Sequence, residues 1–193
     1  MAARGRLFVI SGPSGVGKGT VVRRLIDLRP DLAFSVSYTT RRRRPTEREG
    51  RHYRFVDREA FDRLIEDGQF LEWAEVFGER YGTPSAEVEV ARRAGRDVLL
   101  EVNMEGARSV RARVPDAVLV FLAPPSEEEL ARRLSARGTE SSQELQRRLR
   151  EARREMAEAP AFDHVVLNDE VERAAAAILA IIDATPPAAE GDV

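Results

Sequence analysis

Leu7-Phe8-Val9-Ile10-Ser11-Gly12-Pro13-Ser14-Gly15-Val16-Gly17-Lys18-Gly19-Thr20 runs from a continuous apolar stretch, through a loop punctuated by glycines, into a helix-forming segment. The apolar residues 7–10 read as a strand buried on both faces. A helix is expected over residues 20–28, ended by Pro30. Glycines let the backbone curl until successive N–H groups converge on anionic oxygens, and the positive end of the following helix adds to the attraction. Lys18 supplies a compact ammonium for the outer phosphates. Strand, glycine loop and helix in this order form the setting in which such a loop holds a nucleoside triphosphate.

The loop nearly matches the Walker A pattern. It departs at one position, because the Ser or Thr that normally follows the lysine and ligates Mg2+ is Gly19, with Thr20 one step later. Mg2+ commonly keeps several waters, so phosphate oxygens and water could hold it instead. Lys18 is also distinctive by count: all but one of the 31 Lys and Arg residues are arginine. The loop by itself leaves the acceptor open, since GTPases, ATPases and many small-molecule kinases share it.

Bulk properties narrow the field. The chain has 193 residues, no cysteine and a net charge of −2. Disulfides, thiolate nucleophiles and cysteine zinc sites are excluded. The two histidines, His52 and His164, lie far apart and offer no metal-ligand spacing. Balanced charge argues against a general nucleic-acid binder. No apolar run reaches the roughly 18 residues of a spanning helix. Residues 1–4 lead straight into a strand with no signal-type apolar segment. A soluble cytoplasmic protein, bound to neither membrane nor nucleic acid, is the expectation.

Residues 98–102, 118–122 and 165–167 read as further buried strands, with helical patterns between them. Ser126 and Glu129 make a capping box for a helix running to about Arg137, Ser141 with Glu144 suggests another reaching Glu158, and a last helix covers residues 170–184. Alternating strands and helices imply a parallel sheet covered by helices on both faces. Residues 34–81 break the rhythm, with strands near 34–37, 53–56 and 70–76 and an amphipathic helix over 58–67. We read them as an inserted lobe that carries substrate contacts. The expected division is a phosphate-loop core over 1–33 and 84–184, an inserted lobe over 34–83, and a disordered tail over 185–193.

The inserted stretch holds the more specific signal. It reads Thr39-Thr40-Arg41, two residues, Arg44, two residues, Glu47, two residues, Gly50, two residues, Tyr53, Arg54, Phe55, Val56. This resembles the signature of guanylate kinases at every fixed position. The resemblance extends to Phe70-Leu71-Glu72-Trp73-Ala74, Tyr81-Gly82-Thr83, Arg137-Gly138-Thr139 and Val166-Leu167-Asn168-Asp169.

The resemblance implies a P-loop NTPase-type α/β fold with a GMP-binding lobe and a small helical lid at about 137–150. It implies transfer of the terminal phosphate of ATP to GMP, with Mg2+ as cofactor, by a monomer or homodimer. The ATP set would be Gly12, Pro13, Ser14, Gly15, Val16, Gly17, Lys18, Gly19 and Thr20, with Arg133, Arg137 and Asn168. The GMP set would be Ser37, Arg41, Arg44, Tyr53, Glu72, Tyr81, Thr83 and Asn103. Lys18, Arg41, Arg137 and Arg148 would neutralise charge during transfer, and Glu101 would contact Mg2+ through water. The chemistry agrees: arginine forks suit a phosphate monoester, and a carboxylate such as Glu72 accepts two parallel bonds from guanine that adenine cannot give. Asn103 departs from the family's usual aspartate, so weaker GMP binding is expected.

Overall fold

Every residue of β1 (Leu7–Ser11) is buried. Its side chains alternate, Phe8 and Ile10 joining one apolar cluster and Leu7 and Val9 another. A strand covered on both faces belongs in the middle of a sheet. In the computed structural model, which describes residues 3–135 and 142–187 (the backbone alone for 142–145), β1 is the central strand. The sheet also contains β2 (Ala33–Phe34), β7 (Val98–Glu101), β8 (Val118–Ala123) and β9 (His164–Leu167). Its order is β2-β7-β1-β8-β9 and all pairings are parallel.

Helices α1 (Lys18–Leu28) and α7 (Val171–Ala184) close one face, where Val22, Leu25, Ile178 and Ile182 meet Phe8 and Ile10. Helices α3 (Ser85–Arg93) and α4 (Met104–Arg113) close the other through Val88, Ala107 and Val110. Each large apolar side chain removed from water contributes about 1.5–3 kcal/mol. The expected helix after the loop starts earlier than its composition suggests, at Lys18, because Gly17 takes a left-handed conformation (φ 101°) that turns the chain straight into the helix. Among the described residues no helix is long and apolar enough to cross a membrane.

The inserted lobe carries a second sheet of order β4-β3-β6-β5, from β3 (Tyr38–Thr39), β4 (Arg54–Phe55), β5 (Phe70–Val76) and β6 (Glu79–Pro84). Phe34, read from sequence as opening this lobe, pairs instead with Leu99 in the main sheet, so of the expected strand over 34–37 only Phe34 is in a strand, β2, and β3 begins after it at Tyr38. Helix α2 (Arg58–Glu66) is capped by Asp57, which accepts from the Ala60 amide at 2.7 Å. Its buried Phe61 packs on Phe70, ring centroids 4.7 Å apart.

A bulge in β5 decides what that strand presents. Phe70 pairs with Pro84 and Glu72 with Thr83, so one residue of β5 is left over. A side chain on Gly82, which pairs with Trp73, would strike Phe70 and Phe61. Phe70 and Trp73 therefore share the α2 side, and Glu72, two residues from Phe70, points to the other. Trp73 stays 40% exposed beneath Arg80. The β5–β6 turn is Phe77-Gly78, with φ of 54° and 82°. Such turns favour Asn, Asp or Gly first, and a phenylalanine there costs about 1 kcal/mol.

Helix α5 (Glu127–Ser135) begins as expected, with the Glu129 amide donating to Ser126 Oγ at 3.1 Å. Helix α6 (Ser142–Ala157) follows, then a short 3-10 turn over Ala159–Ala161 that leads into β9. The expected ends of these helices at Arg137 and Ser141, and the tail over 188–193, lie outside the described residues.

The chain leaves β1 at Gly12 with φ 144°, and a Cβ there would sit 2.3 Å from the Leu122 carbonyl oxygen. Gly12→Ala is expected to cost about 2–4 kcal/mol, seen as a melting temperature lower by roughly 5–15 °C in thermal unfolding.

Candidate active site

All five strands of the main sheet end on the side of the glycine loop, the usual place for a ligand crevice in an open α/β sheet. Gly17 caps α1, and the first turn of any helix offers N–H groups with no carbonyl of their own. Lys18 folds back over the loop, its Nζ donating to the Gly12 carbonyl at 2.6 Å and the Pro13 carbonyl at 3.3 Å. The Ser14 amide donates to Glu155 Oε2 of α6 at 3.4 Å. Burial pushes the Glu155 carboxyl upward, and nearby Lys18 offsets part of the shift.

Two residues assigned to ATP from sequence hold the loop from behind. Asn168 is turned inward and 3% exposed; its Nδ2 donates to the Val16 carbonyl at 2.7 Å. Arg133 donates to the same carbonyl and to the Asn168 carbonyl, each at 3.1 Å, while Glu129 holds its Nε at 2.7 Å. These groups hold the Val16 carbonyl from behind the loop. The periodicity of α5 and β9 gave no sign of this, because the contact joins residues more than a hundred positions apart.

Glu101 ends β7 beside the loop, half-buried. Burial pushes its carboxyl upward, with Lys18 and Arg23 pulling the other way. The position a Cβ on Gly19 would take is 3.3 Å from its Oε2. The missing hydroxyl of the loop thus faces a carboxylate. On its other side Glu101 lies near Tyr53, whose phenol is pushed upward first by burial and then by that charge. Glu101 is where the loop and the inserted lobe meet.

In the lobe, Arg41 is gripped by Glu47: Nη2 donates to Oε1 at 2.7 Å and Nη1 to Oε2 at 3.2 Å. Glu47 also accepts from the Arg44 amide at 2.8 Å. Although burial opposes it, Glu47 is held below the usual carboxylate range by Arg41 and the Arg44 amide. The Arg41 guanidinium lies over Tyr53, 5.5 Å from the ring centroid, and Tyr53 meets Tyr81 edge-on at 5.8 Å. The sequence brings Arg41, Tyr53 and Tyr81 together as expected, with Arg44 beside them and half its side chain exposed. It treated Glu47 only as a fixed position; the signal was its spacing, six residues after Arg41 and three after Arg44.

Glu72 is 5% exposed, and Thr83 Oγ1 donates to its Oε1 at 2.5 Å. A Cβ on Gly106 would lie 2.6 Å from its Oε2, so the carboxyl rests on the start of α4. Asn103 caps that helix, its Oδ1 accepting from the Gly106 amide at 2.8 Å, which leaves its second lone pair for a ligand. Ser37 is buried in the segment before β3. Burial pushes the Glu72 carboxyl up to about 7; the Thr83 bonds and distant Arg113 pull it down, and Glu105 adds to the rise. Arg148 of α6 stands over the Phe77 ring, 5.1 Å from its centroid. Arg137 lies outside the described residues.

The raised carboxyl makes stability depend on pH. Glu72 keeps its proton in the folded chain up to about pH 7 and loses it near pH 4.5 when unfolded. Stability is therefore lost as pH rises across that window and is level above it. Glu72→Gln, which mimics the protonated form, is expected to match the parent at pH 5 and exceed it at pH 8 by up to about 3 kcal/mol in urea unfolding.

The guanylate kinase family model matches residues 4–185. A guanylate kinase from Nocardia farcinica (strain IFM 10152) is 54% identical over 184 residues, 94% of this chain and 95% of the relative. One from Thermobifida fusca (strain YX) is 54% identical over 179 residues, 93% and 91% of the two chains. The crystal structure of guanylate kinase from Anaplasma phagocytophilum is similar with a TM-score of 0.81 at 36% identity, covering 95% of this chain and 87% of that one.

Proposed function

The chain belongs to the guanylate kinase family, and on that premise we propose that it transfers the terminal phosphate of ATP to GMP, giving ADP and GDP. The observation that carries the acceptor assignment is Glu72, a buried carboxylate held by a threonine hydroxyl and the start of a helix, with no cation bonded to it among the described residues. Guanine N1–H and N2–H₂ are the donors such a group lacks. Adenine would present a bare acceptor and leave the charge unpaired, a discrimination of roughly 10⁴ or more. Ser37 and Thr83 border the same pocket in this reading, and Asn103 offers a neutral acceptor where a charged one is usual.

The acceptor phosphate would bind Arg41 and Arg44, with Tyr53 and Tyr81 as phenolic donors. Glu47 holds Arg41 in place beforehand, so little side-chain freedom is lost on binding. The phosphate of GMP is already an anionic nucleophile at neutral pH, so no general base is required. The donor would lie on the loop of Gly12, Pro13, Ser14, Gly15, Val16, Gly17, Lys18, Gly19 and Thr20. Phosphoryl transfer proceeds through a loose, charge-spread transition state, and catalysis is mainly positioning and neutralisation. Lys18 would serve there, with the lid arginines Arg137 and Arg148.

Mg2+ is implied by the family, and Glu101 fits it: a carboxylate at a strand end, beside the loop and close to the space over Gly19. Glu101 would hold the ion through water, and the ion would supply further charge neutralisation on the donor phosphates.

A coupled assay of ATP consumption with GMP, AMP, CMP and UMP as acceptors tests the assignment. Strong preference for GMP is expected; equal use of AMP, or use of none, would overturn it. The pH dependence is a second test. GMP needs Glu72 as carboxylate, so KM for GMP is expected to fall from pH 6 to pH 8 by up to roughly tenfold. Glu72→Gln should bind GMP weakly and lose that part of the pH dependence, since both proteins share the titration of the GMP phosphate itself.

A further inference from the structure

The β5–β6 turn places an aromatic residue where chain geometry disfavours one. Phe77 has φ 54°, a left-handed conformation that Asn or Gly would take at less cost, and its ring is 41% exposed. Its neighbours come from another part of the chain. The guanidinium of Arg147 lies 4.8 Å from the ring centroid and that of Arg148 5.1 Å. Both distances fall within the range of cation–π attraction. Two successive helical residues point about 100° apart, so both can meet one ring only because the turn carries it out to the helix.

We propose that Phe77 is a positioning residue that couples the acceptor lobe to the lid. Its ring gathers the arginine pair of α6 at the tip of the β5–β6 hairpin, so that movement of the lobe carries Arg148 with it. Phe77 itself touches no substrate. The hairpin that bears Phe77 at its tip also bears Glu72, Tyr81 and Thr83. Recognition of the acceptor and delivery of a lid arginine are thereby joined through two strands and one ring. The lobe and lid roles rest on the GMP kinase reading; the contact between Phe77 and α6 does not.

Three substitutions separate the contact from the fold. Phe77→Asn keeps the turn and relaxes its backbone, so a loss of activity cannot come from unfolding. Phe77→Leu keeps apolar bulk without a ring face, and Phe77→Tyr keeps the ring. The expected result is kcat with GMP and ATP lower by roughly fivefold in the Asn and Leu variants, with KM for GMP within about twofold of the parent, and near-parental kcat in the Tyr variant. Without substrate, amide hydrogen exchange in α6 should be faster in the Asn variant than in the parent. Parental kcat and parental α6 exchange in Phe77→Asn would overturn the proposal, and a Leu variant as active as the Tyr variant would rule out the cation–π contact as its basis. If the parent fails to phosphorylate GMP, the function is misassigned, and the exchange measurement still decides whether Phe77 restrains α6.

Discussion

The Val16 carbonyl accepts from Asn168 at 2.7 Å and from Arg133 at 3.1 Å. A phosphate loop works only if its N–H groups face one way, which obliges its carbonyls to face the other. Carbonyls turned into the protein need donors there, since an unpaired buried acceptor costs free energy comparable to a lost hydrogen bond. The residue just past β9 and the residue late in α5 supply them. The loop is thus shaped by the far end of the chain as much as by its own glycines. Sheet order explains how this is possible, because β8 and β9 lie on one side of β1 and bring their following segments under the loop.

The inserted lobe is organised by carboxylates in two different states. Glu47 is paired with an arginine and kept ionised, so its role is to hold Arg41 still. Glu72 has no such partner among the described residues, and burial drives its proton affinity up. A buried charge without a cation is costly to the folded chain. That cost is what a ligand rich in N–H donors would relieve. The β5 bulge is the backbone device behind it, since a regular strand would send Glu72 to the side of Phe70.

Much of this was legible in the sequence. The unbroken apolar run Leu7, Phe8, Val9 and Ile10 gave a buried strand, and the glycine spacing gave the loop. Arg41, Arg44 and Tyr53 were readable as one set because a dense local signature holds them, and Tyr81 joined them through the resemblance. Other features were not. The roles of Asn168 and Arg133 depend on tertiary contacts across more than a hundred residues, which no local pattern encodes. The start of α1 was misplaced by two residues because Gly17 and Lys18 look like loop until the left-handed turn is known. That Phe34 belongs to the main sheet and the lobe's first strand starts only at Tyr38 follows from pairing partners, β7 for Phe34 and β6 for Tyr38, which propensity does not specify.

Trp73 is the chain's single tryptophan. It lies beside Glu72 in β5, on the opposite face, partly open to water and stacked under Arg80. All indole fluorescence of the protein therefore arises within the inserted lobe, one residue from the carboxylate that would read the base. The phosphate loop, by contrast, is optically silent. Light emitted by the unmodified chain reports on one half of the site alone, so occupancy of that half can be followed without attaching a label.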